Sequence, residues 1–391
     1  LNYDDNILPT HSNDNHIDVG DDVSDKYNII LNSNNITLIE TKEHGYIYNP
    51  VRVVCMVPTL WPKKKFTMEA IAKTWGRHCD KLFFVVDSLI ASPEKIGNGI
   101  LLKLNLEGRQ SMRDRNIWEK VWKAWYHLGK HHLNDAEWFL KIDDDTFFSA
   151  INFRGFARYY NPDDTHYFGH TLRHAWAYKN VVFNSGTCYA ISRGTLRTIY
   201  RVFESNEFLN DPDRNYGYSK SYCVHRKGDQ EDPTLSICMR MFGINPSNSL
   251  EYDKQNDVYK ERFLTFRPGD HEGIEKKATW FWQHKPINMG YKEHCCAKHP
   301  ISFHNYKLTP FESFKELDKT YNIPEGIDGK TFDIPDPPST FIFNEKTAPK
   351  HDKYMNVFNI PRGQRIYKGP DKIAFCHDCD KYKIKSFNIT W

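Results

Sequence analysis

Three carboxylates, Asp143, Asp144 and Asp145, follow directly on a hydrophobic run in EWFLKIDDDTFF, residues 137–148. Like charges in a row repel one another and resist burial. Oxygen-rich clusters of this kind attract hard divalent cations such as Mg²⁺ and Mn²⁺, and a bound cation offsets the repulsion. The competing reading is a solvated acidic turn, or a helix N-terminus that favours carboxylates. Histidine suits Mn²⁺ as a third ligand, and His304 lies in a strand-like SFH run late in the hydrophobic part of the chain. Glu231 and Asp232 open the helix-like segment DQEDPTLSICMRMFG, residues 229–243. An aspartate there suits a general base beside an acceptor hydroxyl, or simply answers the positive end of the helix dipole. Trp280 and Trp282 share one face of an extended segment, fit either for stacking on sugar rings or for packing in a core.

The elements that must hold these residues are read from hydrophobic periodicity. VRVVCMV (51–57), KLFFVV (81–86), GILLKLNL (99–106) and the run before Asp143 read as buried strands, and the prolines at 58 and 62 end the first. Between them, apolar residues at 117, 118, 121, 122, 125 and 128 fall at helical spacing within 113–132. Helices are also expected near 66–75, near 149–160 and from about 193. Strand and helix alternate, which predicts an α/β fold: a mostly parallel sheet with helices on both faces. Ligands of such sheets bind beyond the carboxyl ends of the strands, where the three aspartates sit. Neither a dinucleotide fingerprint nor a P-loop is present. At the D-x-D end of a buried strand, a metal would bridge a nucleotide-sugar diphosphate and stabilise the charge that develops as the sugar leaves.

Three regions follow. Residues 1–48 are Asn- and Asp-rich and read as a flexible stem or linker. Residues 49–307 carry the strand–helix alternation and the candidate site residues, and are expected to form the catalytic domain. Residues 308–391, rich in Pro, Lys and Asp, read as a C-terminal extension packed on or beside it. The chain of 391 residues carries a net charge of only +3, which gives no electrostatic case for nucleic acid. Ten Trp, 22 Tyr and 25 Phe suit a protein that handles ring-shaped ligands. No stretch of 18 apolar residues occurs, so no spanning helix is expected. The first residue is Leu1, which reads as a processed or truncated form lacking any N-terminal anchor. The sequons at Asn35 and Asn388, with nine cysteines, point to an oxidising lumen. Cys376 and Cys379 form a half zinc site or, with more weight, take part in disulfides.

In order and wording these pieces resemble the inverting β1,3-glycosyltransferases of the Fringe and core 1 galactosyltransferase group, and most of all its core 1 branch. The resemblance rests on RVVCMV (52–57), AKTWGRHCDKLFFV (72–85), EGR (107–109), DAEWFLKIDDDTFF (135–148), SGTCYAIS (185–192), EDPTLSICM (231–239), TWFW (279–282) and the double cysteine followed by ISFH (295–304). It implies a GT-A glycosyltransferase fold, a luminal Golgi domain of a type II membrane protein or a secreted form of it, and compatibility with a homodimer. It implies UDP-galactose as donor, Mn²⁺ as cofactor, and a glycoprotein or glycopeptide bearing O-linked GalNAc as acceptor. Carried over residue by residue, Asp143, Asp145 and His304 would hold the metal. Glu107, Gly108, Arg109, Lys120 and Asp144 would meet the nucleotide sugar. Asp232 would be the catalytic base, with Glu231, Trp280 and Trp282 at the acceptor. The chain departs from the group at Val182–Gly186, where the pattern is Tyr-Met-Ser-Gly-Gly, and at Pro233, directly after the expected base.

The expected chemistry is a one-step inverting transfer of galactose to the 3-hydroxyl of GalNAc. Two alternatives stand beside it. One is a Fringe-like enzyme with another UDP-sugar or acceptor. The other is a non-catalytic, chaperone-like relative, against which the retained aspartate triplet and Asp232 weigh.

Overall fold

A computed structural model describes residues 27–31, 37–41, 45–49, 51–106, 117–173, 182–204, 230–240, 244–253, 255–264, 294–304, 310–321, 367–369 and 372–374. Two compact units divide the chain, residues 1–49 and 50–391. In the first, within the segment expected as a stem, β1 (Tyr27–Leu31), β2 (Thr37–Thr41) and β3 (Gly45–Asn49) pair as an antiparallel meander, with Ile29 opposite Ile39 and Ile39 opposite Ile47. Their Ile, Tyr and Thr residues favour extended backbone.

The second unit is built on a seven-stranded sheet in the order β10-β11-β8-β4-β5-β7-β6. Its centre is parallel: β8 (Trp138–Ile142), β4 (Val53–Pro58), β5 (Lys81–Asp87) and β7 (Gly99–Leu104). Cys55 registers with Leu82 on one side and Leu140 on the other. The flanks are antiparallel, with β6 (Lys95–Ile96) at one edge and β11 (Val182–Ser192) and β10 (Tyr167–Arg173) at the other. The sheet is therefore mixed, parallel only at its centre.

Strands buried on both faces read as continuous apolar runs, and β4 sends alternate residues to opposite cores. Val53, Cys55 and Val57 pack with Met68 and Ile71 of α1 (Lys65–Lys73) and Phe153 of α3 (Ala150–Ala157). Val54 and Met56 pack with Trp118 and Trp125 of α2 (Ile117–His131), Leu196 of α4 (Arg193–Glu204) and Leu235 of α5 (Glu231–Arg240). Helices thus cover both faces. The first core extends past residue 307: Phe314 and Leu317 of α6 (Pro310–Tyr321) are buried in it, and Asp318 takes Arg77 at 2.7 Å.

A small second sheet ties a distant segment to the end of β8. β12 (Glu251–Asp253) and β13 (Val258–Lys260) pair antiparallel, and after them β15 (Ser302–Phe303) runs antiparallel to β9 (Phe147–Phe148) and parallel to β14 (Phe263–Leu264). Disulfides join Cys55 to Cys79 and Cys295 to its neighbour Cys296, and Cys188 is a buried thiol. Cys376 and Cys379 lie outside the described residues. Among the described residues, no helix is long and apolar enough to cross a membrane.

Candidate active site

β8 delivers the acidic triplet to the carboxyl edge of the sheet. The Asp143 N–H donates to the Thr187 carbonyl of β11 at 2.9 Å, and the Thr146 N–H closes a turn on the Asp143 carbonyl at 3.1 Å. Thr146 is followed by β9, and β9 brings in β15, so His304 emerges beside the turn. Two further bonds fix that approach: the Ser149 N–H donates to the Ile301 carbonyl at 2.7 Å, and the Asn152 side chain donates to the Pro300 carbonyl at 2.7 Å. Asp143, Asp145 and His304 consequently each offer a ligand atom within 4.8 Å of the others, and His304 Nε2 lies 3.2 Å from Asp145 Oδ1. Two carboxylates and an imidazole make a hard donor set that fits Mn²⁺ or Mg²⁺.

Asp144 turns away from this cluster, as alternation along an extended chain requires. Its carboxylate accepts from Thr59 Oγ1 at 2.7 Å and from Lys64 Nζ at 3.2 Å, so its contacts are with the loop after β4. Lys120, on α2, reaches the same loop and donates to the Thr59 carbonyl at 2.7 Å. Burial pulls the Lys120 ammonium down to about 8, against the opposing influence of Asp87 and Asp144.

The expected base sits in the first turn of α5. Asp232 accepts from the Gly186 N–H of β11 at 3.1 Å, and burial raises its carboxyl to about 6 despite that bond. Pro233 is accommodated because the first helical turn needs no N–H there. Below, α5 is anchored by Tyr167, whose hydroxyl lies 3.1 Å from Ser236 Oγ. Glu231, expected at the acceptor, has its carboxylate buried inside the protein, 2.8 Å from Lys141 Nζ and 3.3 Å from the Tyr189 hydroxyl. Burial raises Glu231 to about 7 against the pull of Lys141.

Lys141 is the residue that sequence reasoning passed over. It interrupts an otherwise apolar strand, and its side chain is 2% exposed. Its ammonium contacts Asp143 Oδ1 at 2.6 Å, Glu231 at 2.8 Å and the Gly186 carbonyl. The carboxylates of Asp143 and Glu231 outweigh burial and hold Lys141 protonated. Asp143 is pushed up by burial against Lys141, whereas in Asp145 the bond to His304 outweighs burial and lowers the carboxyl. A lysine within a buried hydrophobic run, two positions before an aspartate, was the available signal. Glu107, Gly108, Arg109, Trp280 and Trp282 lie outside the described residues.

No family model matches the chain. Among solved structures, it is similar to the galactosyltransferase LgtC in complex with donor and acceptor sugar analogs, at 14% identity and a TM-score of 0.38, over 70% of this chain and 98% of the other. It is also similar to the glycosyltransferase GlyE of Streptococcus pneumoniae TIGR4, at 12% identity and a TM-score of 0.34, over 71% of this chain and 61% of the other. Both likenesses are too loose to carry an argument. In sequence, the chain is similar to glycoprotein-N-acetylgalactosamine 3-beta-galactosyltransferase 1 of Xenopus laevis, 27% identical over 257 residues that span 65% of this chain and 62% of that protein.

Proposed function

We propose that the protein is an inverting, metal-dependent glycosyltransferase of GT-A type. In this reading it transfers galactose from UDP-galactose in β1,3 linkage to GalNAc on serine or threonine of a glycoprotein. The carrying observation is the convergence of Asp143, Asp145 and His304 at the carboxyl edge of the sheet, with Asp232 joined to the same edge through Gly186. The similarity to a galactosyltransferase that acts on glycoprotein-N-acetylgalactosamine supports the choice of donor and acceptor. Disulfides and two sequons support a luminal setting in the secretory pathway.

Held by Asp143, Asp145 and His304, a divalent ion such as Mn²⁺ would supply charge neutralisation to the departing diphosphate. The chain's own residues do the rest. Asp232, ionised, accepts the proton of the acceptor 3-hydroxyl as that oxygen attacks the anomeric carbon from the face opposite UDP. The C–O bond to galactose forms as the bond to UDP breaks, so the product is β-linked and no covalent enzyme intermediate is needed. Lys120, on α2 and bonded to the Thr59 loop that Asp144 also contacts, would meet the nucleotide in this reading.

The test is a screen of UDP-sugars by UDP release, with and without an O-GalNAc peptide and with Mn²⁺ present. We expect UDP-galactose with the GalNAc peptide to give the highest turnover, and a β1,3-linked product by NMR. Higher turnover with another pair would reassign the substrates. No acceptor-dependent UDP release with any pair would refute the enzymatic reading and favour a non-catalytic one.

A further inference from the structure

Three elements meet at one ammonium. Lys141 of β8 is flanked by Leu140 and Ile142, both fully buried. A charge in such a place is tolerated only when it is paired and hydrogen-bonded. Its partners come from three directions: Asp143 Oδ1 on the acidic turn at 2.6 Å, Glu231 Oε1 on α5 at 2.8 Å, and the Gly186 carbonyl on β11. Gly186 then faces the other way, and its N–H donates to Asp232 at 3.1 Å. A side chain at 186 has no room here, because its Cβ would stand 2.5 Å from Glu231 Oε1 and 3.4 Å from Lys141 Nζ.

Asp232 is therefore anchored twice, by its chain neighbour Glu231 and by Gly186, and both anchors end on Lys141. The transfer chemistry itself has no use for this ammonium. We propose that Lys141 is a positioning residue: its buried ammonium clamps Glu231 and Gly186 to Asp143, and so holds Asp232 in place against the metal-binding carboxylates. The proposal rests on the roles given above to Asp232 and to the acidic triplet. Misplacing a reacting group by about 1 Å costs on the order of 100-fold in rate. Loss of the clamp should therefore slow turnover much more than it weakens donor binding.

The experiment compares the full chain with Lys141→Met, Glu231→Gln and the double variant. Three measurements are made: hydrogen exchange of the α5 amides without ligand, Mn²⁺-dependent UDP binding by calorimetry, and steady-state transfer. We expect α5 exchange about tenfold faster with the β4 and β5 amides unchanged. We expect UDP affinity and donor KM within about threefold of wild type, with kcat about 100-fold lower. The double variant should be no slower than the worse single variant, because both changes break one path. Glu231→Gln keeps size and leaves Lys141 on Asp143, so it carries the test if Lys141→Met does not fold. Unchanged α5 exchange in the folded variants, or kcat falling only in step with UDP affinity, overturns the proposal. A wild-type protein that transfers no sugar defeats the functional reading instead, and α5 exchange then still decides whether the clamp exists.

Discussion

Replacing Asp232 by Asn should remove a proton acceptor and little else. The amide keeps the size of the carboxylate, and its oxygen can still accept the Gly186 N–H, now 3.1 Å from Asp232. Lys141 keeps Asp143 and Glu231, so no buried charge is orphaned. The loss is then that of general-base assistance, about 10²- to 10⁴-fold in kcat, which is roughly 2.7 to 5.4 kcal/mol of barrier. The pH profile supplies the second half of the test. A base works ionised, and burial raises Asp232 to about 6, so wild-type kcat/KM should fall as pH drops through that value. Glu231, raised to about 7, takes its proton earlier, so the acid limb belongs to the pair and is broader than a single ionisation. In Asp232→Asn only the Glu231 part should remain. The assay is transfer from pH 5 to 8 under saturating Mn²⁺, with UDP binding and urea unfolding as controls. Asp232→Asn with kcat within tenfold of wild type, and an unaltered acid limb, would refute the assignment.

Three further outcomes follow from the same geometry. Asp145→Ala removes one of the three converging ligands, so calorimetry should show Mn²⁺-dependent UDP binding lost; unchanged affinity would strike Asp145 from the set. Phe314→Ala empties a fully buried site that lies edge-on to Trp75 at 6.5 Å, and should cost about 3–5 kcal/mol in urea unfolding. A cost below about 1 kcal/mol would mean that α6 is not part of the core. Gly186→Ala drives a Cβ to 2.5 Å from Glu231, whose carboxylate is held by Lys141 and cannot swing aside; destabilisation of about 1–3 kcal/mol is expected, and a neutral result would show that β11 and α5 yield there.

How much of this was legible in the chain follows from the range of the forces involved. The strand before Asp143 and the helix around Trp118 and Trp125 are local patterns, and both appear close to the expected places. His304 was found through its SFH run and the order of the surrounding motifs. What brings it to Asp145 is pairing of β15 with β9, a contact no periodicity reports. The extension 308–391 reads as peripheral from its polar composition, yet Phe314 and Leu317, on one face of α6, are buried in the core while Lys315, Glu316 and Lys319 stay exposed. Lys141 went unread for a related reason. A lysine in an apolar strand announces a partner but does not say which, and Glu231 and Gly186 reach it only through the packing of α5 and β11.

The charges at the sheet edge explain why one acidic cluster can serve two purposes. Asp143 and Glu231 contact the buried Lys141 ammonium, with Asp145 beside Asp143 and Asp232 next to Glu231, a gathering of carboxylates that a divalent cation would help to balance. Within that gathering the environments diverge. The bond to His304 holds Asp145 below its ordinary range against the effect of burial. Burial brings Asp232 up to about 6 against the Gly186 N–H bond, closer to the pH at which a carboxylate can both take and release a proton. Lys141 lies between the two groups, in contact with Asp143 on one side and with both anchors of Asp232 on the other. On the roles proposed above, the spacing between the metal ligands and the base would be set through Lys141 of β8, a strand of the main sheet.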